Sequence, residues 1–165
     1  MHPDGTEEKP VTDTDGVPID AGPFSLSPDG SAVVFGTGRE IHVMNVDGTG
    51  RRFLANGMWP DWSTDGSTIA FAKDPYLPLS QRSGDPFVWQ FWSILPDGSD
   101  LTKLHSWPHC CLGAWVTGPA WSPDGARIAG VALNRLRIID ADGRGARTIH
   151  GVTIFRDPIA WRPLA

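Results

Sequence analysis

Glutamate is nearly absent: of 19 acidic residues, 3 are Glu and 16 are Asp. Glu favours helices, whereas Asp bonds to nearby backbone and favours turns, so a helical bundle is excluded. Cysteine is scarce as well. The two present, Cys110 and Cys111, are adjacent, and a strained bridge between neighbours would staple no distant segments. They leave the redox compartment open. No apolar run approaches the roughly 20 residues of a membrane helix, so no membrane span is expected. Met1 to Val11 is polar, without a signal-peptide core. With 14 basic residues and a net charge of -5, the 165-residue chain lacks the basic surface that nucleic acid requires. Charged residues make up 20% and hydrophobic ones 40%, a balance that supports a packed core. What is abundant is turn-forming and aromatic: 19 Gly, 15 Pro and 8 Trp. Such a chain reverses direction often.

The reversals are regular. Asp-Gly occurs eight times, with glycines at 5, 16, 30, 48, 66, 98, 125 and 143. One class follows a serine: Ser27-Pro28-Asp29-Gly30, Ser63-Thr64-Asp65-Gly66 and Ser122-Pro123-Asp124-Gly125. Leu26, Trp62 and Trp121 stand four residues before these glycines, and Trp161-Arg162-Pro163 opens a fourth copy. The other class follows an apolar strand: Ile41 to Val46 before Asp47-Gly48, Phe91 to Pro96 before Asp97-Gly98, and Leu136 to Ala141 before Asp142-Gly143. Met1 to Thr6 matches Met44 to Thr49.

Separations from the first class to the second are 18, 32 and 18 residues, so the middle unit carries an insertion of 14. Second-class glycines lie 43, 50 and 45 residues apart. A period near 40–45 with four short strands, A to D, is propeller-like. Strand B is an almost continuous apolar run, as a strand covered on both faces should be. Strand D carries more charge, as suits an outer edge.

These motifs resemble the WD-like β-propeller repeat of the TolB-type family, in which an aromatic-Ser-Pro-Asp-Gly turn precedes an apolar strand and an Ile-x-Val-Met-x-x-Asp-Gly segment. The resemblance spans Phe24 to Pro163. It implies an all-β fold of four-stranded antiparallel blades, commonly six to a ring, acting mainly as a rigid binding platform. Relatives include partner-binding periplasmic proteins and non-catalytic propellers that cap serine peptidases, so a periplasmic or extracellular location is implied. The expected organisation is a trailing outer strand and linker at 1–23, blades at 24–60, 61–118 and 119–158, and the first strand of a further blade at 159–165. Three blades leave the ring incomplete or open. A longer chain supplying the missing blades is the first expectation, and a homodimer completing the ring is the second.

Up-and-down topology puts both Asp-Gly classes at one end of the blades. The B–C and D–A loops lie at the other. There the middle unit has two long loops, Lys73 to Pro86 and His105 to Gly118, rich in aromatic residues. Loops on rigid scaffolds carry function disproportionately, and Trp, Tyr and Arg anchor interfaces. Tyr76, Arg82, Trp89, Trp107, His109 and Trp115 are therefore the candidate binding residues for a protein or peptide partner, a glycan being a further possibility. The competing reading is that these aromatics cover the enlarged blade as a satellite core.

No catalytic residues, cofactor or metal are expected. The chain has no Gly-x-Ser-x-Gly elbow, no His-Glu-x-x-His and no phosphate-binding glycine loop. His105, His109, Cys110 and Cys111 lack the spaced ligand pairs of a zinc site. The repeated aspartates each explain their own turn and do not converge as calcium ligands would. Trp62, Trp121 and Trp161 are expected to pack between blades. The alternative function is the propeller portion of a larger enzyme, a serine peptidase or polysaccharide lyase, with His42 as the one strand histidine in view.

Overall fold

The computed structural model describes residues 22–73, 89–107, 117–132, 135–153 and Trp161. These form three sheets. The first joins β1 (Phe24–Leu26), β2 (Ala32–Thr37), β3 (Glu40–Asn45) and β4 (Arg52–Asn56). The second joins β5 (Met58–Trp62), β6 (Ile69–Lys73), β7 (Trp89–Ile94) and β8 (Thr102–Trp107). The third joins β9 (Ala120–Trp121), β10 (Arg127–Ala132), β11 (Arg135–Asp140) and β12 (Arg147–Thr153). Each is antiparallel with its strands in chain order, the meander expected of a blade.

The serine-led turns close by a local circuit. The Gly30 amide donates to the Ser27 carbonyl at 2.9 Å. Ser27 Oγ donates to Asp29 Oδ1 at 2.6 Å and accepts the Ala32 amide at 2.9 Å. Ser63 and Ser122 repeat this arrangement with Asp65 and Asp124. Gly30, Gly66 and Gly125 stand at φ 70°, 76° and 68°, a left-handed region that a side chain would strain. The serine is thus as much a part of the turn as the Asp-Gly pair.

Strand β6 shows how the sheets stack. Its alternate side chains point to opposite faces. Ile69 and Phe71 join a core with Val34, Ile41, Val43 and Leu54 of the first sheet. Ala70 and Ala72 join another with Ile128 and Ile139 of the third. The small alanines leave room that Trp89, Phe91 and Trp107 fill. Ile69 through Ala72 are completely buried, with only Lys73 of the strand partly exposed, so the near-continuous apolar run reflects cover on both sides. Burial of Ile69 and Phe71 alone is worth about 1.5–3 kcal/mol each, more than the net worth of a typical hydrogen bond. Apolar packing therefore dominates the cohesion between blades.

Backbone closeness sharpens the contact between the second and third sheets. Gly130, on β10, lies against Phe91 so tightly that a Cβ would overlap the ring. By contrast, Phe24, Leu26 and Phe53 of the first sheet are exposed at 67%, 54% and 51%.

Candidate functional site

The loop end of the second blade is built on paired tryptophans. Trp89, which opens β7, is the register partner of Trp107, which closes β8. Both are buried, at 7% and 5% exposed. Phe91 meets Trp107 edge-on at 4.9 Å between centroids, His105 lies 4.6 Å from Trp107, and Trp59 tilts against Trp89 at 5.8 Å. Trp59 sits at φ 53° where a register irregularity interrupts the pairing of β5 with β6. A bulky residue in that conformation costs on the order of 1–3 kcal/mol, which the surrounding aromatic packing must offset. Gly118 abuts Trp59 where a Cβ could not fit, so the chain returning into the third blade passes directly over it.

Polar contacts flank this aromatic layer, one of them reaching the Asp-Gly turn of the third blade. His105 Nδ1 donates to the Gly143 carbonyl at 3.2 Å, tying β8 to the third blade. Lys73 lies 4.3 Å from the Trp92 ring centre, and partial burial lowers its ammonium pKa. Trp92 Nε1 donates to Gln90 Oε1 at 2.9 Å.

Strand β8 continues to Trp107, so His105, Ser106 and Trp107 belong to the sheet although the sequence reading began the loop at His105. Their pairing opposite Phe91, Gln90 and Trp89 explains the difference, because each extra residue gains a ladder partner. Of the six candidate residues, Trp89 and Trp107 are brought together here. Tyr76, Arg82, His109 and Trp115 lie outside the described residues, as do Cys110 and Cys111. The segments 74–88 and 108–116 leave from Lys73 and Trp107 and re-enter at Trp89 and Thr117, all at the same end of the blades.

No family model matches the sequence, and no curated protein matches it. Solved structures do. A protein assigned as TolB from Agrobacterium tumefaciens aligns with a TM-score of 0.57 and 22% identity, over 79% of this chain and 50% of that one. A chain of a nidogen/laminin complex aligns at 0.59 and 14%, over 79% and 48%. The β-propeller domain of the Trilobed protease from Pyrococcus furiosus, described as having an open velcro topology, aligns at 0.53 and 18%, over 82% and 43%. The fold is that of β-propeller blades. The chain spans about half the length, or less, of these propellers.

Within the propeller, the innermost strands are linked by bonds that the sequence reading missed. Ser25, Asp61 and Ala120 each precede the repeat's apolar or aromatic position. Ser25 Oγ donates to Asp61 Oδ1 at 3.0 Å and accepts the Trp62 amide at 3.1 Å. Asp61 Oδ2 accepts the Trp121 amide at 2.7 Å. The Ser25 and Asp61 side chains thus each receive a backbone amide of the next blade, whereas Ala120 offers only its carbonyl, which accepts Trp161 Nε1 at 2.9 Å. Burial raises the Asp61 pKa, against the lowering effect of hydrogen bonds from Trp121, Ser25 and Trp62. An Asp in place of Ser or Ala just before the aromatic was the available signal, but adjacent strands had to be superposed to read it.

The turn aspartates behave oppositely. Hydrogen bonds from Ser27 and then Ser31 hold Asp29 down to about 2, and those from Ser63 and Ser67 do the same for Asp65. Their oxygens are committed to their own turns. His42 is buried between Phe35 and Phe53, with Nε2 3.0 Å from Glu40 Oε2. It sits in the first blade, whereas His105 sits in the second.

Proposed function

We propose that this propeller is a non-catalytic platform that binds a protein or peptide through the loop end of its second blade. The observation that carries this reading is the Trp89–Trp107 pair, which roots both long segments in one buried aromatic layer. Because those tryptophans are buried, they position the site; contact falls to Tyr76, Arg82, His109 and Trp115 in the segments they anchor. Aromatic and Arg residues standing on a rigid base suit a peptide-binding hot spot, since little entropy is lost in ordering the base. Resemblance to TolB-type propellers favours the same reading and a periplasmic or extracellular setting.

The test compares wild type with Tyr76→Ala/Trp115→Ala in pull-downs from the native host, with the melting midpoint recorded alongside. The reading expects a specific partner to be captured by wild type and lost by the double variant at an unchanged midpoint. Equal capture by both would overturn it. Placement within a larger peptidase or lyase is the competing reading, decided by whether the flanking reading frame encodes a hydrolase elbow or a histidine-rich propeller channel.

A further inference from the structure

Strands β3, β7 and β11 occupy the same place in their blades, and the first two carry the same small bond. Eight and six residues before the second-class glycine stand Glu40 and His42 in the first blade, and Gln90 and Trp92 in the second. In both, the earlier residue offers an oxygen to the ring nitrogen of the later one. Glu40 Oε2 lies 3.0 Å from His42 Nε2, and Gln90 Oε1 accepts Trp92 Nε1 at 2.9 Å. The third blade breaks the pattern, because these positions hold Arg135 and Arg137. Where an acceptor should meet a donor, two cations stand together.

Neither has an acidic partner among the described residues. Arg135 is exposed and makes no hydrogen bond or ion pair. Arg137 is half-buried and donates from Nη1 to Thr148 Oγ1 at 2.7 Å. Its Nε is enclosed and out of reach of any ligand, whereas Nη2 is neither enclosed nor bonded. Burial first, and then the charge of Arg135, lower the Arg137 pKa. Asp140 stands at the far end of β11, and Asp142 beyond it lies 3.8 Å from Arg144 Nε.

The backbone opens at the same place. His42, Trp92 and Arg137 pair with Phe53, Lys103 and Thr148 of the outer strands, and a register irregularity adjoins each pair. The first two blades accommodate one extra outer-strand residue there, Leu54 and Leu104. In the third, pairing resumes only at Arg135 with Thr153, so residues 149–152 stand opposite Leu136 alone. Gly151, at φ 80°, has open space where a Cβ would be. Bulges on edge strands re-aim side chains and are over-represented beside functional sites. Arg137 pairs with Gly130, which touches Phe91, so both arginines project towards the second blade. Arg135 opens β11 and thus stands at the loop end.

Guanidinium groups bind planar carboxylates through parallel N–H donors. A lone small carboxylate gains little at a site this exposed, so the occupant belongs to a larger partner. We propose that Arg135 and Arg137 bind an acidic side chain of a peptide partner, whose carboxylate supplies the oxygen that Glu40 and Gln90 supply within their own blades. This rests on the platform reading above, to which it adds the partner's charge.

The test titrates the full chain into a capped, fluorescein-labelled tetraglutamate peptide, followed by fluorescence anisotropy, with tetraglutamine as the control. The chain's net charge of -5 repels acidic peptides in general, so binding reports a local site. Tetraglutamate should bind saturably at low salt, and tetraglutamine should not. Arg135→Glu installs the acceptor of the first blade and should abolish binding at an unchanged or higher melting midpoint. Arg137→Gln should weaken binding at least about fivefold. Should Arg137→Gln fail to fold, Arg135→Gln at the exposed position serves instead, with the same weakening expected. The Tyr76→Ala/Trp115→Ala variant should keep the probe, so failure of the loop contacts in the pull-down is read separately. Several outcomes would each overturn the proposal: no saturable binding of tetraglutamate, equal binding of tetraglutamine, or undiminished affinity in the folded arginine variants. Loss of the probe by the loop variant would do so too, as would displacement by inorganic phosphate at lower concentrations than by acetate.

Discussion

The Trp121 backbone amide donates to Oδ2 of Asp61 across the gap between the second and third blades, at 2.7 Å. The other oxygen of the same carboxylate takes the Ser25 hydroxyl of the first blade at 3.0 Å. One side chain thus joins the innermost strands of all three blades. Apolar layers supply most of the cohesion, but they are non-directional and tolerate sliding. Asp61 fixes the register at which the layers meet.

Asp61→Ala should therefore destabilise the fold by about 1–3 kcal/mol, because it leaves a buried amide and a hydroxyl without acceptors. Asp61→Asn retains one acceptor oxygen and should lose less. Urea unfolding of both variants measures this. An Asp61→Ala midpoint equal to wild type would mean that the bond contributes nothing to blade register.

The pH dependence of stability has two parts of opposite sign. Asp61 has a raised folded pKa, so the folded state holds its proton more tightly than the unfolded state, and stability falls as pH rises from 3.8 through that pKa. Asp29 and Asp65 are held down to about 2, so the stability they contribute is present above 3.8 and lost as pH falls towards 2. Unfolding followed across this range should show Asp61→Asn gaining on wild type as pH rises. Asp29→Asn should flatten the acid limb below 3.8. Parallel curves for Asp61→Asn and wild type would contradict the raised pKa.

Gly130→Ala should cost about 1–3 kcal/mol, since the added methyl meets the Phe91 ring, itself 1% exposed and held by Trp107. Combining it with Phe91→Leu should recover part of that loss. Thermal melts of the two single variants and the double variant form the cycle, and strict additivity would show that the contact is relieved elsewhere.

Trp107→Ala should lower stability by about 3–5 kcal/mol, the range for removing a large buried aromatic. Trp89→Ala should do likewise, and the two together should cost less than the sum, because each supports the other across β7 and β8. Calorimetric melting of the three variants decides it. Small losses in both single variants would show that the pair is not the base of the loop end.

Much of this was legible without coordinates. Ser-x-Asp-Gly encodes its reversal through bonds that reach at most five residues, such as Ala32 to Ser27 and Thr68 to Ser63. The Thr68–Phe71 run announced a strand covered on both faces, and the strand observed at Ile69–Lys73 is so covered through Ala72. The extension of β8 through His105 to Trp107 was not legible, because a loop and an edge strand of mixed composition read alike until a partner strand is placed beside them.

By itself, then, the sequence determined the reversals, the alternation of faces and the repeated unit, because those depend on contacts between near neighbours. Tertiary structure decided which polar groups are satisfied. Asp61 finds Ser25 and Trp121 across separations of 36 and 60 residues, and the Trp161 indole finds the Ala120 carbonyl across 41. Such pairings follow from how rigid sheets of slightly different side-chain volume settle against each other, and no local segment carries that information.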